Sequence, residues 1–176
     1  PGVLLWLQAD YSLYRLGYVE RNSQMDISSL GDVLYKLWEQ ASIIRLWRKN
    51  SANQDILKTF IDYQGKGKVL LIEACSDGST LFPAISSTLR LEALISGSCS
   101  LKDSIHEISS NLYVIPGSPF SGAEESKKIQ SIIRQLSRKF PYLLVIQDKR
   151  TAQQKDEVHI VLENDGSVKV LDAESS

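Results

Sequence analysis

Four short, mostly apolar runs in the chain show no alternation of polar and apolar positions. They are Ile43–Trp47, Val69–Ile72, Leu112–Ile115 and Leu143–Ile146. Runs of this kind are typical of strands that are buried on both faces of a parallel sheet. We therefore predict that the four runs lie side by side as parallel strands in one sheet flanked by helices. Val3–Leu7 is a further candidate strand.

Apolar residues that recur at steps of three and four predict helices between these strands. The first pattern consists of Ile27, Leu30, Leu34, Leu37 and Trp38. A second helix is predicted to begin near Asn53, where polar capping residues precede an apolar stripe. It would lead into the strand at Val69 and complete a strand–helix–strand unit.

The clearest helical pattern lies in "SGAEESKKIQSIIRQLSRKF". Its predicted N-cap is Ser121, because Glu124 follows at the spacing of a capping box. Its predicted buried stripe consists of Ile129, Ile132, Ile133 and Leu136. A short helix is also predicted after the loop in "STLFPAISSTLRLEALISGS". Another is predicted in "SLKDSIHEIS", with Leu101, Ile105 and Ile108 on one face.

Near its end the chain alternates apolar and polar residues about a central "NDGS", which predicts a β-hairpin in "DEVHIVLENDGSVKVLDAE". Strands that alternate with helices favour an α/β fold. We predict a doubly wound, mostly parallel sheet with helices on both faces and a C-terminal β-hairpin. The predicted organisation is a single domain over residues 1–176. Within it, 1–40 is an N-terminal extension of uncertain role, 41–150 is the core and 151–176 is the hairpin.

The composition is that of an ordinary globular protein, with 176 residues of which 43% are hydrophobic and 23% are charged. The net charge of -1 gives no strong signal for nucleic acid. Cys75 and Cys99 lack metal-ligand spacing, so no metal site is predicted and a reducing compartment is expected. No apolar run approaches the ~20 residues that cross a bilayer, and no basic-then-apolar leader is recognised. These features predict a cytoplasmic protein.

The segments "GKVLLIEACSDGS", "SLKDSIHEISSNLYVIPGSP", a long helix and "FPYLLVIQD" occur in this order. In this order they resemble the ParA/MinD superfamily of P-loop ATPases, which includes the bacterial tyrosine autokinases of capsule synthesis. Strands of that superfamily typically read VLLIDAD and something like NLYVIPAG, and a buried strand ends in IID followed by threonine and prolines. The resemblance covers roughly residues 51–148, and it implies the same fold.

The resemblance also implies where a nucleotide site would stand. The family's glycine-rich loop, KGGxGKT, aligns with "RLWRKNSANQDILKTF", which contains no glycine. Lys49 stands near the family's first lysine, Glu73 takes the place of the first aspartate of VLLIDAD, and Asp148 stands where the magnesium-linked aspartate would be. A loop without glycine does not easily adopt the positive dihedrals of a phosphate nest. These three residues are therefore predicted to form a vestigial nucleotide-binding site, with no catalytic residue and no metal ligand.

Several features also have simpler structural interpretations. Asp148 suits a cap of the next turn, and Glu73 suits either ligand contact or solvent exposure. The basic run Arg45–Lys49 suits phosphate binding or a solvated strand edge. Loops near Gly117 and Gly122, and the "SGSCS" loop, offer alternative small-residue anion sites.

Two functions follow. The first is a non-catalytic ParA/MinD-like interaction or scaffold module without a cofactor, which acts through protein–protein contacts in a larger bacterial assembly for localisation, secretion or polysaccharide export. The second is an active ATPase or kinase that uses ATP and magnesium with an unconventional loop. A homodimer or protein partner is expected in either case. The predicted contact is an aromatic-rich surface made of Trp6, Trp38, Trp47, Tyr11, Tyr14 and Tyr18.

Overall fold

The computed structural model describes residues 24–25, 30–48, 67–163 and 168–171. The strands of this part are β1 (Gln24–Met25), β2 (Ile43–Arg48), β3 (Val69–Ala74), β4 (His106–Ser109), β5 (Leu112–Ile115), β6 (Tyr142–Gln147), β7 (Glu157–Leu162) and β8 (Val168–Val170). The helices are α1 (Leu30–Leu37), α2 (Leu91–Ser96), α3 (Leu101–Ser104) and α4 (Ala123–Leu136), with a 3-10 turn at Ser87–Leu89. The chain divides into two compact units, Gly67–Lys149 and the combination of Pro1–Lys66 with Arg150–Ser176.

In the Gly67–Lys149 unit, β3 is the central strand, with β5 parallel on one side and β6 parallel on the other. All six residues of β3 are buried, which explains its continuous apolar sequence. β4 completes the order β6–β3–β5–β4 and pairs antiparallel with β5. The parallel arrangement predicted for the runs at 69–72, 112–115 and 143–146 is therefore confirmed.

In the other unit, β2 pairs parallel with β7, and β7 pairs antiparallel with β8. β1 extends this order through an antiparallel pairing with β8. The predicted strand at 43–47 and the predicted C-terminal hairpin are both present, although the "NDGS" turn lies outside the described residues. The fold class, α/β with a mostly parallel mixed sheet and an antiparallel hairpin at the end, is confirmed. The candidate strand at 3–7 and the helix near Asn53 also lie outside the described part.

The described helices agree with the predictions except at three points. Ile132, predicted in the buried stripe of α4, is only half-buried. α1 buries Leu34 and Leu37 completely, and α4 buries Ile129, Ile133 and Leu136. The predicted cap of α4 is wrong. Gly122 is the N-cap, at a φ of 89°, and the backbone N–H of Ser121 donates to Glu125 Oε1 at 2.7 Å. Glu125 therefore takes the position expected of Glu124, because α4 begins one residue later than predicted.

The helix predicted over "SLKDSIHEIS" is correct only in its first half. α3 ends at Ser104, and Ile105 is extended at φ -96° and ψ 119°. His106–Ser109 then forms β4, because antiparallel pairing with β5 satisfies the backbone groups that a longer helix would have used. Ile108 is 40% exposed instead of lying on a buried helix face.

Candidate functional site

The candidate site is the edge of the Gly67–Lys149 unit where the parallel strands β3, β5 and β6 reach their carboxyl ends. In open α/β sheets this edge is where ligands bind. Glu73 is the second-last residue of β3, Gly117 lies in the loop after β5, and Asp148 directly follows β6. The parallel pairing brings these three chain segments to the same edge.

The carboxylate of Glu73 is buried, with only 3% of the residue exposed. Its Oε1 accepts hydrogen bonds from the Thr80 hydroxyl and from the Gly117 N–H, the latter at 2.9 Å. Its Oε2 accepts from the Leu81 N–H at 2.7 Å. Both oxygens are therefore engaged by donors from two loops. Glu73 anchors those loops and is neither solvent-exposed nor directed at open space.

Asp148 is exposed, and it holds a different loop. Its two oxygens accept from the Ser76 N–H at 3.2 and 3.1 Å, and Oδ2 also accepts from the Ser76 hydroxyl at 2.7 Å. The sequence interpretation of Asp148 as a cap of the next turn is therefore only partly right. The carboxylate does bind a backbone N–H, but one that lies in the loop after β3, 72 residues earlier in the chain.

Two glycines allow the loops after β3 and β5 to pack directly on each other. A Cβ on Gly117 would lie 2.7 Å from the Ser79 carbonyl oxygen and 3.2 Å from the Cβ of Glu73. Gly78 has a φ of +77°, and a Cβ there would lie 2.5 Å from Pro119. The Phe120 N–H also donates to the Ser76 carbonyl at 3.2 Å. The loops after β3 and β5 therefore contact each other directly at Gly78 and Gly117.

Residues of the alternative small-residue loops also form hydrogen bonds and helix caps within the chain. The Gly117 N–H donates to Glu73, and the Ser121 N–H donates to Glu125 at the start of α4. Glu124 and Glu125 occupy the first turn of that helix, where they oppose an anionic ligand. In "SGSCS", Gly97 is the left-handed C-cap of α2, and Ser100 caps α3 by accepting from the Asp103 N–H at 3.1 Å.

The structure describes two of the three predicted site residues. Glu73 and Asp148 stand at the ends of the neighbouring strands β3 and β6, but each is bonded to its own set of loop donors. Lys49 lies outside the described residues. Sequence reasoning missed Ser76, Thr80 and Gly117 as partners of the two carboxylates. The signal available was the run of small hydroxylated residues in "SDGST" directly after β3.

The other unit contains a buried ionic cluster made of Arg45, Glu157 and His159. Arg45 Nη2 lies 2.9 Å from Glu157 Oε2, and His159 Nε2 lies 3.1 Å from Glu157 Oε1. The three residues are at most 3% exposed. Burial raises the pKa of Glu157, but hydrogen bonds from His159 and Arg45 and the Arg45 charge outweigh it and lower the pKa to about 2. Glu157 is therefore a carboxylate at neutral pH.

This cluster accounts for the first residue of the basic run Arg45–Lys49, whose last residue lies outside the described part. Arg45 and Arg48 are 3% and 4% exposed, so neither is a solvated edge residue. Arg45 is paired with Glu157 and is not presented to a phosphate. Trp47 contacts the Arg150 guanidinium, whose central carbon lies 3.7 Å from the ring centroid.

The remaining titratable residues form no further site in the described part. His106 Nε2 lies 3.0 Å from the Leu89 carbonyl oxygen, and Cys75 and Cys99 are buried free thiols. Burial and the nearby charge of Asp103 raise the pKa of Cys99, so it is not an activated nucleophile. Within the described ranges, no group of three or more His, Cys, Asp or Glu residues is placed to hold a metal ion. None of the described helices is long and apolar enough to span a membrane.

Comparison with solved structures shows which known fold shares this arrangement. The chain is similar to the BceF tyrosine kinase domain, with a TM-score of 0.51 and 18% sequence identity over 69% of this chain and 55% of that one. It is also similar to the chimeric protein CapA2B2, with a TM-score of 0.50 and 12% identity over 69% of this chain and 62% of that one. The chain shares the fold of the BceF tyrosine kinase domain.

The fold that the sequence resemblance implied is thus confirmed, since that resemblance includes the bacterial tyrosine autokinases. A plasmid partition protein from Borrelia burgdorferi is also similar, with a TM-score of 0.46 and 16% identity over 61% of this chain and 56% of that one. The chain spans 55–62% of the length of these three proteins. No protein-family model matches the chain, and no curated protein sequence matches it.

Proposed function

We propose that this chain is a non-catalytic interaction or scaffold module with a ParA/MinD-type fold, which acts through protein–protein contacts in a larger bacterial assembly. One observation carries this proposal. Glu73, at the position of a family nucleotide-site acid, is buried and accepts hydrogen bonds from Thr80, Leu81 and Gly117. The carboxylate serves the packing of the chain's own loops.

We infer that Glu73 is not a magnesium ligand in this arrangement. Magnesium demands near-octahedral oxygen ligands and is usually held by one or two carboxylates that face solvent and substrate phosphates. Glu73 faces the protein interior, and both oxygens of Asp148 accept bonds from Ser76. The loops above them are packed together at Gly78 and Gly117. We therefore assign no reaction step to a nucleotide or metal.

The physical requirement of phosphoryl transfer supports the same proposal. That reaction depends on positioning and on charge stabilisation by backbone N–H groups, lysine and magnesium. The segment that aligns with the family's phosphate loop contains no glycine. Loss of a single preorganised donor typically raises a barrier by about 3 kcal/mol. We infer that several such donors are missing together.

An active ATPase or kinase with an unconventional loop is the second candidate. The observation that favours it is the position of Asp148, an exposed carboxylate at the end of a buried parallel strand. This candidate requires Ser76 to release Asp148 when magnesium binds. It also requires phosphate donors from residues outside the described part.

ATP turnover in the presence of magnesium distinguishes the two candidates. We expect no magnesium-dependent phosphate release from the purified chain, and no difference between the wild type and the variants Asp148→Ala and Lys49→Ala. Circular dichroism of each variant checks that it is folded. Magnesium-dependent turnover that both substitutions abolish in folded protein would replace the scaffold proposal with the active enzyme.

A further inference from the structure

The outer surface of α4, with the turn that follows it, carries charges of one sign. Five basic residues and no acidic residue lie between Ser126 and Phe140: Lys127, Lys128, Arg134, Arg138 and Lys139. All five are exposed. The whole chain has 20 basic and 21 acidic residues, so positive charge is concentrated on this surface and is not general to the chain. We call these five residues the basic face.

Helix geometry places the basic face on the side of α4 that is opposite the core. Lys127, Ser131 and Arg134 recur at steps of four and three, and Arg138 follows at another step of four. The buried stripe follows the same steps on the other side of the helix: Ile129, Ile133 and Leu136. The helical path continues past Leu136, because the Phe140 N–H donates to the Leu136 carbonyl at 3.0 Å. The cations from Lys127 to Arg138 therefore form a row about 16 Å long.

The basic face is not neutralised within the described part of the chain. None of its five side chains forms an ion pair or a hydrogen bond there. Glu124 precedes Lys128 by four residues, which is the spacing of a helical ion pair, but no ion pair joins them in the described structure. A helix face that only keeps a protein soluble usually mixes charges of both signs. A row of unpaired cations instead favours contact with an acidic partner.

We propose that the basic face is the docking surface for an acidic segment of a partner protein, whose carboxylates pair with the row of cations. An anionic bilayer fits less well, because a membrane-bound helix also inserts apolar side chains, and the apolar stripe of α4 is buried in the protein's own core. Single-stranded nucleic acid is bound by aromatic rings as well as by charge, and the basic face contains no aromatic residue. Domains that bind a duplex are usually basic as a whole, whereas the net charge here is -1.

This inference deepens the proposed function and rests on it, because it names the chemistry of the protein partner. The association should depend on salt, since exposed charge pairs each contribute little and are screened beyond about 8 Å at physiological ionic strength. Nucleotide turnover does not involve the basic face. Loss of the docking proposal would therefore leave the turnover result unchanged, and turnover would overturn the scaffold proposal without touching the basic face.

Calorimetric titration of the full chain with a poly-glutamate peptide tests the basic face. A peptide of about ten residues is long enough to span the row. We expect saturable binding at low salt, which weakens as salt is added. Three neutralising substitutions should weaken it about tenfold: Lys127→Gln, Arg134→Gln and Arg138→Gln. A matched control makes the same change in net charge at exposed lysines elsewhere and should weaken binding by less than about twofold: Lys102→Gln, Lys149→Gln and Lys155→Gln.

NMR amide shifts of the wild type provide a second test that needs no variant. Addition of the peptide should shift the amides of Lys127, Ser131 and Arg134 most. Absence of peptide binding, an equal loss in the control variant or largest shifts outside residues 123–140 would overturn the proposal. Phosphatidylserine vesicles, and a DNA duplex with the same total charge as the peptide, are the competing ligands. Tighter binding of either one, lost in the triple variant, would also overturn it.

Discussion

Two buried glutamates show two ways of keeping a carboxylate inside this protein. Glu73 accepts hydrogen bonds from two backbone N–H groups and a hydroxyl of the described residues. Glu157 is bonded to the Arg45 guanidinium and to the His159 ring. Both residues are 3% exposed. The difference lies in what each carboxylate organises.

Glu73 ties together two loops at the ends of parallel strands, where a ligand would otherwise bind. Glu157 joins neighbouring strands, because its partner Arg45 lies on β2, in register with His159 on β7. Removal of Glu157 takes a carboxylate away from the buried Arg45 guanidinium, whereas the described donors to Glu73 are two backbone N–H groups and a hydroxyl. We therefore expect that the ionic cluster contributes most to the free energy of unfolding. The hydrogen bonds to Glu73 contribute most to the shape of the candidate site.

The largest expected effect is that of Glu157→Ala. Breaking a buried ion pair by removal of one partner costs about 3–5 kcal/mol. We expect a loss of this order in the free energy of unfolding measured with urea. Glu163→Gln is the control, because its pair with Lys169 is 3.9 Å long and partly exposed. A loss below about 1 kcal/mol in Glu157→Ala would contradict this account of the cluster.

Acidification should act on the same cluster through Glu157. The folded pKa of about 2 lies below the ordinary value of 4.5, so this group stabilises the fold above the ordinary value. That stabilisation, about 3 kcal/mol, is lost as the pH falls from about 4.5 to about 2. NMR titration of the Glu157 carboxyl carbon should show no midpoint above about pH 3. A midpoint near pH 4 would show that Arg45 and His159 do not hold the charge.

A smaller effect is expected from Glu73→Gln. The amide keeps the shape and one acceptor oxygen, but its NH₂ group faces an N–H or hydroxyl donor, and charge-assisted bonds are lost. We expect destabilisation of about 1–3 kcal/mol. We also expect faster hydrogen exchange at Leu81 and Gly117, whose N–H groups bond to this carboxylate. Unchanged exchange at both amides would show that Glu73 does not order the two loops.

The smallest effect is expected from Asp148→Asn, because this carboxylate is exposed and its bonds to Ser76 are solvent-accessible. We expect a change of at most about 1 kcal/mol in the free energy of unfolding. Ser76→Ala should produce a similarly small change, and the double variant should show how much of it the two residues share. A loss in the free energy of unfolding as large as that of Glu157→Ala would contradict this ranking of the carboxylates.

The strands and the long helix were predictable because their signals are local. The apolar runs of β3 and β6 and the stripe of Ile129, Ile133 and Leu136 in α4 are each read within one segment. Local signals failed where pairing with another strand decides the structure. β4 looks helical by spacing, but its pairing with β5 makes it a strand.

The candidate site was predictable in position but not in bonding. The family resemblance identified Glu73 and Asp148, and the parallel strands β3 and β6 bring their carboxyl ends to one edge. Their partners depend on tertiary packing. Gly117 is 44 residues from Glu73, and Ser76 is 72 residues from Asp148. The pairing of Arg45 with Glu157, 112 residues apart, was hidden for the same reason.

Titration calorimetry with ATP, GTP and their diphosphates, each with magnesium, tests the central claim most directly. The account predicts no saturable heat for any of the four nucleotides, because the chain's own donors occupy Glu73 and Asp148 and its loops pack together at Gly78 and Gly117. Saturable, magnesium-dependent binding that Asp148→Ala abolishes in folded protein would contradict it.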